Sequence, residues 1–278
     1  MKDLFGSFLA AGGIQIANFA TGILAARILL PEGRGELTIL LLWPVLIADL
    51  GSISLNTSTN FHMARKSHSP KEIFAGTGLL LTILWPLLVG AFLVLSPYIY
   101  SGQRSEVLEM SAICSAFIPL YLYALNMMAM FQGDQNYGVY NALRALVNLG
   151  YLGLAILLLV FWNASLSAFI YAYLAAHLGL LGITLWLVTR NGWLSFRPSI
   201  AAIRSLATYG VRAHVAIVLE IANRRLDQLI ISLAMAATDL GLYVVAMTIE
   251  GPLFLAVTTM ELLLFPKIAQ QTQEGGRQ

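Results

Sequence analysis

The chain has 278 residues, of which 58% are hydrophobic and 11% charged, with a mean hydropathy of +0.77 and a formal net charge of +2. A soluble domain carries about 25% charged residues, so 16 basic and 14 acidic side chains are too few to cover a water-exposed globule of this length. Composition excludes a soluble domain and predicts an all-α, polytopic transmembrane helical bundle; its near-neutral charge gives no sign of a nucleic-acid partner. The single cysteine, Cys114, excludes an internal disulfide framework and any CxxC metal site.

A spanning helix needs about 20 mainly apolar residues. Eight segments qualify: 6–30, 36–60, 73–98, 107–131, 138–161, 165–188, 208–234 and 240–265. The first starts close to Lys2 and is too long for the apolar core of a signal peptide. It places Gln15, Asn18 and Gly22 on one face, and ends at Pro31-Glu32-Gly33-Arg34-Gly35. At about 100° per residue, the second span gathers Asp49, Asn56 and Asn60 on a narrow stripe. The third and fourth spans are more uniformly apolar. The fifth carries Asn141, Arg144 and Asn148 on one face, and the sixth leads into the longest connection, from Arg190 to Ser205.

The seventh span is the outlier. Arg212, Glu220, Asn223, Arg224 and Asp227 share about one third of its circumference, while the rest is mostly Val, Ile, Leu and Ala. Its Glu220–Arg224 spacing is i,i+4, which lets the two charges partly neutralise each other. The eighth span carries Glu250 and Glu261 on one side. A charge in hydrocarbon costs ~2.5–3.5 kcal/mol, so these stripes must face one another or water. For Gln15, Asn18, Asn56, Asn60, Asn141 and Asn148, interhelical hydrogen bonding and a place in a polar cavity stand as equal readings. Arg144 and Arg212 have no acid within one turn and read as anion-binding groups. Glu220, Arg224, Asp227, Asp49 and Glu250 read as ion-pairing or coupling groups; Glu250 fits a proton-linked or a hydrogen-bonded structural acid alike. Arg225 points away from the stripe and reads as an outer-leaflet contact or a snorkelling group.

With the N-terminus in the cytoplasm, the inner segments hold nine basic residues and the outer ones three. That distribution satisfies the positive-inside rule and places both termini in the cytoplasm. Self-similarity is present as well. Ile14-Gln15-Ile16-Ala17-Asn18 is echoed by Leu219-Glu220-Ile221-Ala222-Asn223, and Gly35-Glu36-Leu37 by Gly241-Leu242-Tyr243. A duplicated six-helix unit with a parallel repeat axis follows. The chain divides accordingly into a six-helix lobe (1–190), a cytoplasmic linker (191–207) and the first two helices of a second lobe with a polar tail (208–278). No Walker A, HExxH or GxSxG motif occurs, and His62, His68, His177 and His214 show no metal-ligand spacing. Neither an enzyme nor a cofactor is expected.

Ala25-Ala26-Arg27-Ile28-Leu29-Leu30-Pro31-Glu32-Gly33-Arg34-Gly35-Glu36 resembles the bacterial polysaccharide-biosynthesis (oligosaccharide) flippase family of the multidrug/oligosaccharidyl-lipid/polysaccharide exporter superfamily. Phe131-Gln132-Gly133, Tyr140-Asn141-Ala142-Leu143-Arg144, Tyr209-Gly210-Val211-Arg212, Asp227-Gln228-Leu229-Ile230-Ile231 and Leu240-Gly241-Leu242-Tyr243-Val244-Val245-Ala246 follow in the family's order. The resemblance implies an inner-membrane transporter that moves undecaprenyl-pyrophosphate-linked oligosaccharide across the bilayer by alternating access of two lobes. On that reading Arg144 and Arg212 meet pyrophosphate or acidic sugars, and the asparagines and Gln15 meet sugar hydroxyls. Family members have two full six-helix lobes, so the chain reads as C-terminally truncated. Two other readings remain. One is a cation-coupled drug exporter, against which the first span has no acid beyond Asp3. The other is a non-transporting membrane subunit of a glycan-assembly complex. A membrane-embedded ligase ranks last, because no long loop carries acids or histidines.

Overall fold

A computed structural model describes residues 2–161 and 165–249 of the chain. The described residues form nine α-helices, with six helical stretches long and apolar enough to cross a membrane. Helix α1 (Lys2–Gly51) contains the first span and the larger part of the second, separated by one non-helical residue, Leu30, at φ 59 and ψ 177. Pro31 explains the break. It has no N–H to donate, and its ring disfavours helical geometry at the residue before it.

The second expected span is itself divided. It runs to Gly51, breaks over Ser52–Ser54, and resumes as α2 (Leu55–Arg65). Ile53 and Ser54 both have a φ of 50. The Ser52 side chain caps the break, donating to the Asp49 carbonyl (2.8 Å) and accepting from the Ser54 N–H (3.2 Å).

Helix α3 (Pro70–Ile99) starts on a capping box, in which Ser69 Oγ accepts from the Glu72 N–H and the Glu72 carboxylate accepts from the Ser69 N–H. The fourth span comprises α4 (Ser105–Cys114) and α5 (Phe117–Gly133). Pro119 has no N–H for the carbonyl one turn earlier, which accounts for the interruption. Next come α6 (Tyr137–Phe161), α7 (Leu166–Arg190) and α8 (Ile200–Ala234). Helix α8 starts eight residues before the expected span, so the connection from α7 is short. Helix α9 covers Ala237–Ile249; Glu250 lies outside the described residues.

Helices α1, α5, α6 and α7 pack on one another, and α3 lies against α1 and α5. Their shared core includes Phe92, Ile118, Leu122 and Phe169, all fully buried. Large apolar side chains such as Leu87, Val94 and Phe161 stay exposed on the bundle's flank, where a bilayer supplies the apolar solvent. An ion pair between the exposed Arg104 and the buried Glu36 ties the outside of the bundle to its centre. The Arg104 guanidinium donates to both oxygens of Glu36, whose carboxylate is buried, so the turn before α4 is fixed to the second half of α1. Helix α8 docks on α2 and α3.

Candidate functional site

The second half of α1, the Ser52–Ser54 break and α2 present Asp49, Ser52, Asn56, Thr57 and Asn60 along one side. Helix α8 faces them with Glu220, Arg224 and Arg225, and α5 and α6 close the wall with Tyr121, Gln132 and Tyr140. Between these surfaces lies a cavity of about 620 Å³. The second-span stripe, Asp49, Asn56 and Asn60, therefore faces two residues of the seventh-span stripe, Glu220 and Arg224. Arg225 corrects its reading as a snorkelling group: it lines the cavity and donates to Gln228 Oε1 at 3.2 Å.

The cavity's charges are balanced. Arg224 and Glu220 form an open ion pair at 3.4 Å, with both side chains more than half exposed. Asp49 accepts a hydrogen bond from the Tyr121 hydroxyl at 3.0 Å. Two carboxylates, two guanidinium groups, three amides and two phenols are arranged around this space. Such a lining can bind hydroxyls through amides and anions through arginines.

Other expected site residues lie elsewhere. Arg144 and Asn148 border a separate space of about 150 Å³ with Ile14, Val147 and His177, sharing only Tyr121 and Leu125 with the main cavity. The Arg144 guanidinium sits 5.5 Å from the Tyr140 ring centroid, and Asn148 Nδ2 donates to the Arg144 carbonyl at 2.8 Å. Asn141 donates to Ser7 Oγ at 2.7 Å, an interhelical bond between α6 and α1. Gln15 and Asn18, on the first half of α1, do not line the main cavity. Arg212 borders an open groove on α8 with Arg204, Ser205 and Tyr209. Asp227 accepts a hydrogen bond from the Tyr243 hydroxyl and so joins α8 to α9.

Tyr121, Gln132 and Tyr140 are cavity residues that sequence reasoning missed. An aromatic in an apolar helix reads as core, and only the tertiary fold shows which of the tyrosines reaches a carboxylate. Three histidines that look scattered in sequence also come together, along the contact of α2 with α8. His214 Nδ1 pairs with Ser54 Oγ (3.0 Å), His68 Nε2 pairs with Ser205 Oγ (2.8 Å), and His62 lies 5.7 Å from the His68 ring. Phe61 stacks on Tyr209 at 4.0 Å, and Ser58 donates to the Leu206 carbonyl at 2.8 Å. Gly210 lets this contact close, since a Cβ there would lie 2.6 Å from the Ile53 carbonyl oxygen.

Comparison with solved structures shows a shared fold. A chain described as protein A matches with a TM-score of 0.63 at 15% identity, covering 95% of this chain and 64% of that one. The present chain thus spans less than two thirds of that protein's length. A MATE in the bent conformation matches with a TM-score of 0.60 at 16% identity, covering 95% and 72% of the two chains. A MOP superfamily transporter from Pyrococcus furiosus, described as having a binding pocket of reverse polarity, matches with a TM-score of 0.51 at 13% identity over 95% and 74%. No curated protein matches significantly. The fold is therefore shared with these proteins, and the six long apolar helices make the chain a multi-pass membrane protein. The family described as Polysaccharide biosynthesis protein matches residues 24–277, and the chain belongs to that family.

Proposed function

We propose that this protein exports lipid-linked oligosaccharide across a bacterial inner membrane during surface polysaccharide synthesis, by alternating access between a first lobe built on α1–α7 and a second that begins with α8. The observation that carries the reading is the polar cavity between the bundle's helices, lined on one side by Asp49, Asn56 and Asn60 and on the other by Glu220, Arg224 and Arg225. Membership of a polysaccharide-biosynthesis family supports the cargo class. The headgroup of an undecaprenyl-pyrophosphate-linked sugar needs hydrogen-bonding amides and a cation for phosphate, and Asn56, Asn60, Gln132, Arg224 and Arg225 supply both. The anion-binding role expected of Arg144 and Arg212 passes to Arg224 and Arg225 on this geometry. An apolar crevice of about 310 Å³, bordered by Phe19, Gly22, Ile23, Val245 and Ile249, suits a prenyl tail. The excess of basic residues on the inner connections supports cytoplasmic termini.

The reading is tested by deleting the gene and following lipid-linked oligosaccharide in the two leaflets. Accumulation on the inner leaflet and loss of surface glycan are expected. Unchanged surface glycan sinks the proposal. Altered drug resistance with intact glycan assigns the protein to the drug-export branch instead.

A further inference from the structure

The internal repeat has a physical counterpart where the kink of α1 meets the start of α9. Gly35 and Gly241 are 206 residues apart, and so are Pro31 and Ala237. A Cβ on Gly35 would lie 1.7 Å from the Ala237 carbonyl oxygen, and a Cβ on Gly241 would lie 1.8 Å from the Pro31 carbonyl oxygen. Each contact becomes the other when the same offset is applied. That reciprocity, in which i touches j and j touches i, marks a two-fold interface. The backbones meet with no side chain between them. Leu37 and Leu240, close by in sequence, are fully buried, and Glu36 is held by Arg104. The main cavity lies away from this contact, toward α2 and the 66–69 turn, as its lining by Asn56, Asn60, Gln132 and Tyr140 shows.

We propose that the Gly35/Gly241 contact is a gate that shuts the Pro31 end of the path between the two repeats. Because its two halves are exchanged by the repeat, it closes and opens as a single unit. The gate rests on the transport reading above but names a device which that reading does not contain. A methyl group at either glycine forces the backbones apart by on the order of 1 Å, which a close-packed contact cannot absorb.

The test uses Ile217→Cys, a cavity position, in a Cys114→Ala background, labelled by a membrane-impermeant maleimide applied from the Pro31 side of the membrane. Gly35→Ala and Gly241→Ala are each expected to raise the labelling rate at least about tenfold, and the double variant is expected to add nothing beyond either single one. Well-folded single variants that label at the parent rate overturn the gate, and effects that multiply in the double variant overturn its unity. If an alanine variant does not accumulate, the glycine-containing protein is read instead, with spin labels at Glu32→Cys and Thr238→Cys, two exposed and repeat-equivalent positions. A short-distance population supports the contact, and a distribution holding only long distances overturns it. None of these readouts depends on the cargo, so a failure of oligosaccharide export leaves them unchanged and stays distinguishable.

Discussion

Asp49 is the acid on which the cavity's first wall is organised, and Tyr121 holds it from the facing helix. Removing that hydroxyl leaves a carboxylate one donor short. Tyr121→Phe should therefore lower stability by about 1–3 kcal/mol, read as a lower thermal midpoint in detergent; an unchanged midpoint means the bond contributes nothing. Arg224 and Arg225 have a different role, since both stand open to the cavity. Replacing either by Ala should cut export roughly tenfold or more while protein level holds, since a charge-assisted contact contributes about 1.5–3 kcal/mol. Export at the parent rate would remove them from the headgroup site. At this scale the sequence was partly legible. Asp49, Asn56, Asn60, Glu220 and Arg224 could be grouped because a helix repeats about every 3.6 residues, and a costly charge must turn inward. Arg144 and Arg212 obey the same rule yet face other spaces, because periodicity gives a direction on one helix and not the identity of the neighbour.

At the scale of the elements, two interruptions of α-helix shape the site, and they differ in how visible they are. Pro31 announces the first. The second, at Ser52–Ser54, contains no proline, and its positive φ values fall on an isoleucine and a serine. Besides the local Ser52 cap, it is fixed from outside, by the His214 contact and the close approach of Gly210, which no local rule could reveal. Leu30 occupies a backbone region open essentially to glycine alone, at a cost of about 1–3 kcal/mol, and its side chain is largely exposed. Leu30→Gly should therefore raise the unfolding midpoint, by the equivalent of ~1 kcal/mol; a lower midpoint would show that the leucine contributes packing.

The α2–α8 contact carries its own pH dependence. His62, beyond the end of the second span, is held below the ordinary histidine range by burial, with His68 and Arg65 adding repulsion and a hydrogen bond raising it only in part. Its Nδ1 lies 2.6 Å from Ser67 Oγ, and its buried Nε2 has no partner among the described residues. The neutral ring is thus the folded form. Stability is full above about pH 6.5, the unfolded value, and falls as pH drops below it, because the unfolded chain binds the proton first. Thermal midpoints between pH 8 and 5 should show that decline, and His62→Gln should flatten it. An identical slope in the variant assigns the decline to other groups.

For the whole molecule, composition alone was enough to specify a polytopic helical bundle, since no soluble arrangement can hide so much apolar surface. The family is consistent with the order of its loose motifs. What composition could not supply was the arrangement across the repeat. The echo between Gly35 and Gly241 looked like ancestry, and in three dimensions it is also a point of contact. Likewise, His62, His68 and His214, spread over 153 positions of chain, each find a partner across the α2–α8 contact only after those helices are packed.

The cut at Ser52–Ser54 has a mechanical consequence. A continuous helix would be a rigid rod joining the glycine contact near Gly35 to the histidine-lined contact on α2, and any tilt at one end would be imposed on the other. Here the rod is jointed. Its upper piece belongs to α1 and is anchored through Glu36 and Arg104, while its lower piece is fastened to α8. The joint itself lies in the cavity wall, at Ser52. Whatever occupies that space sits beside the hinge pin of the segment linking the two ends of the molecule.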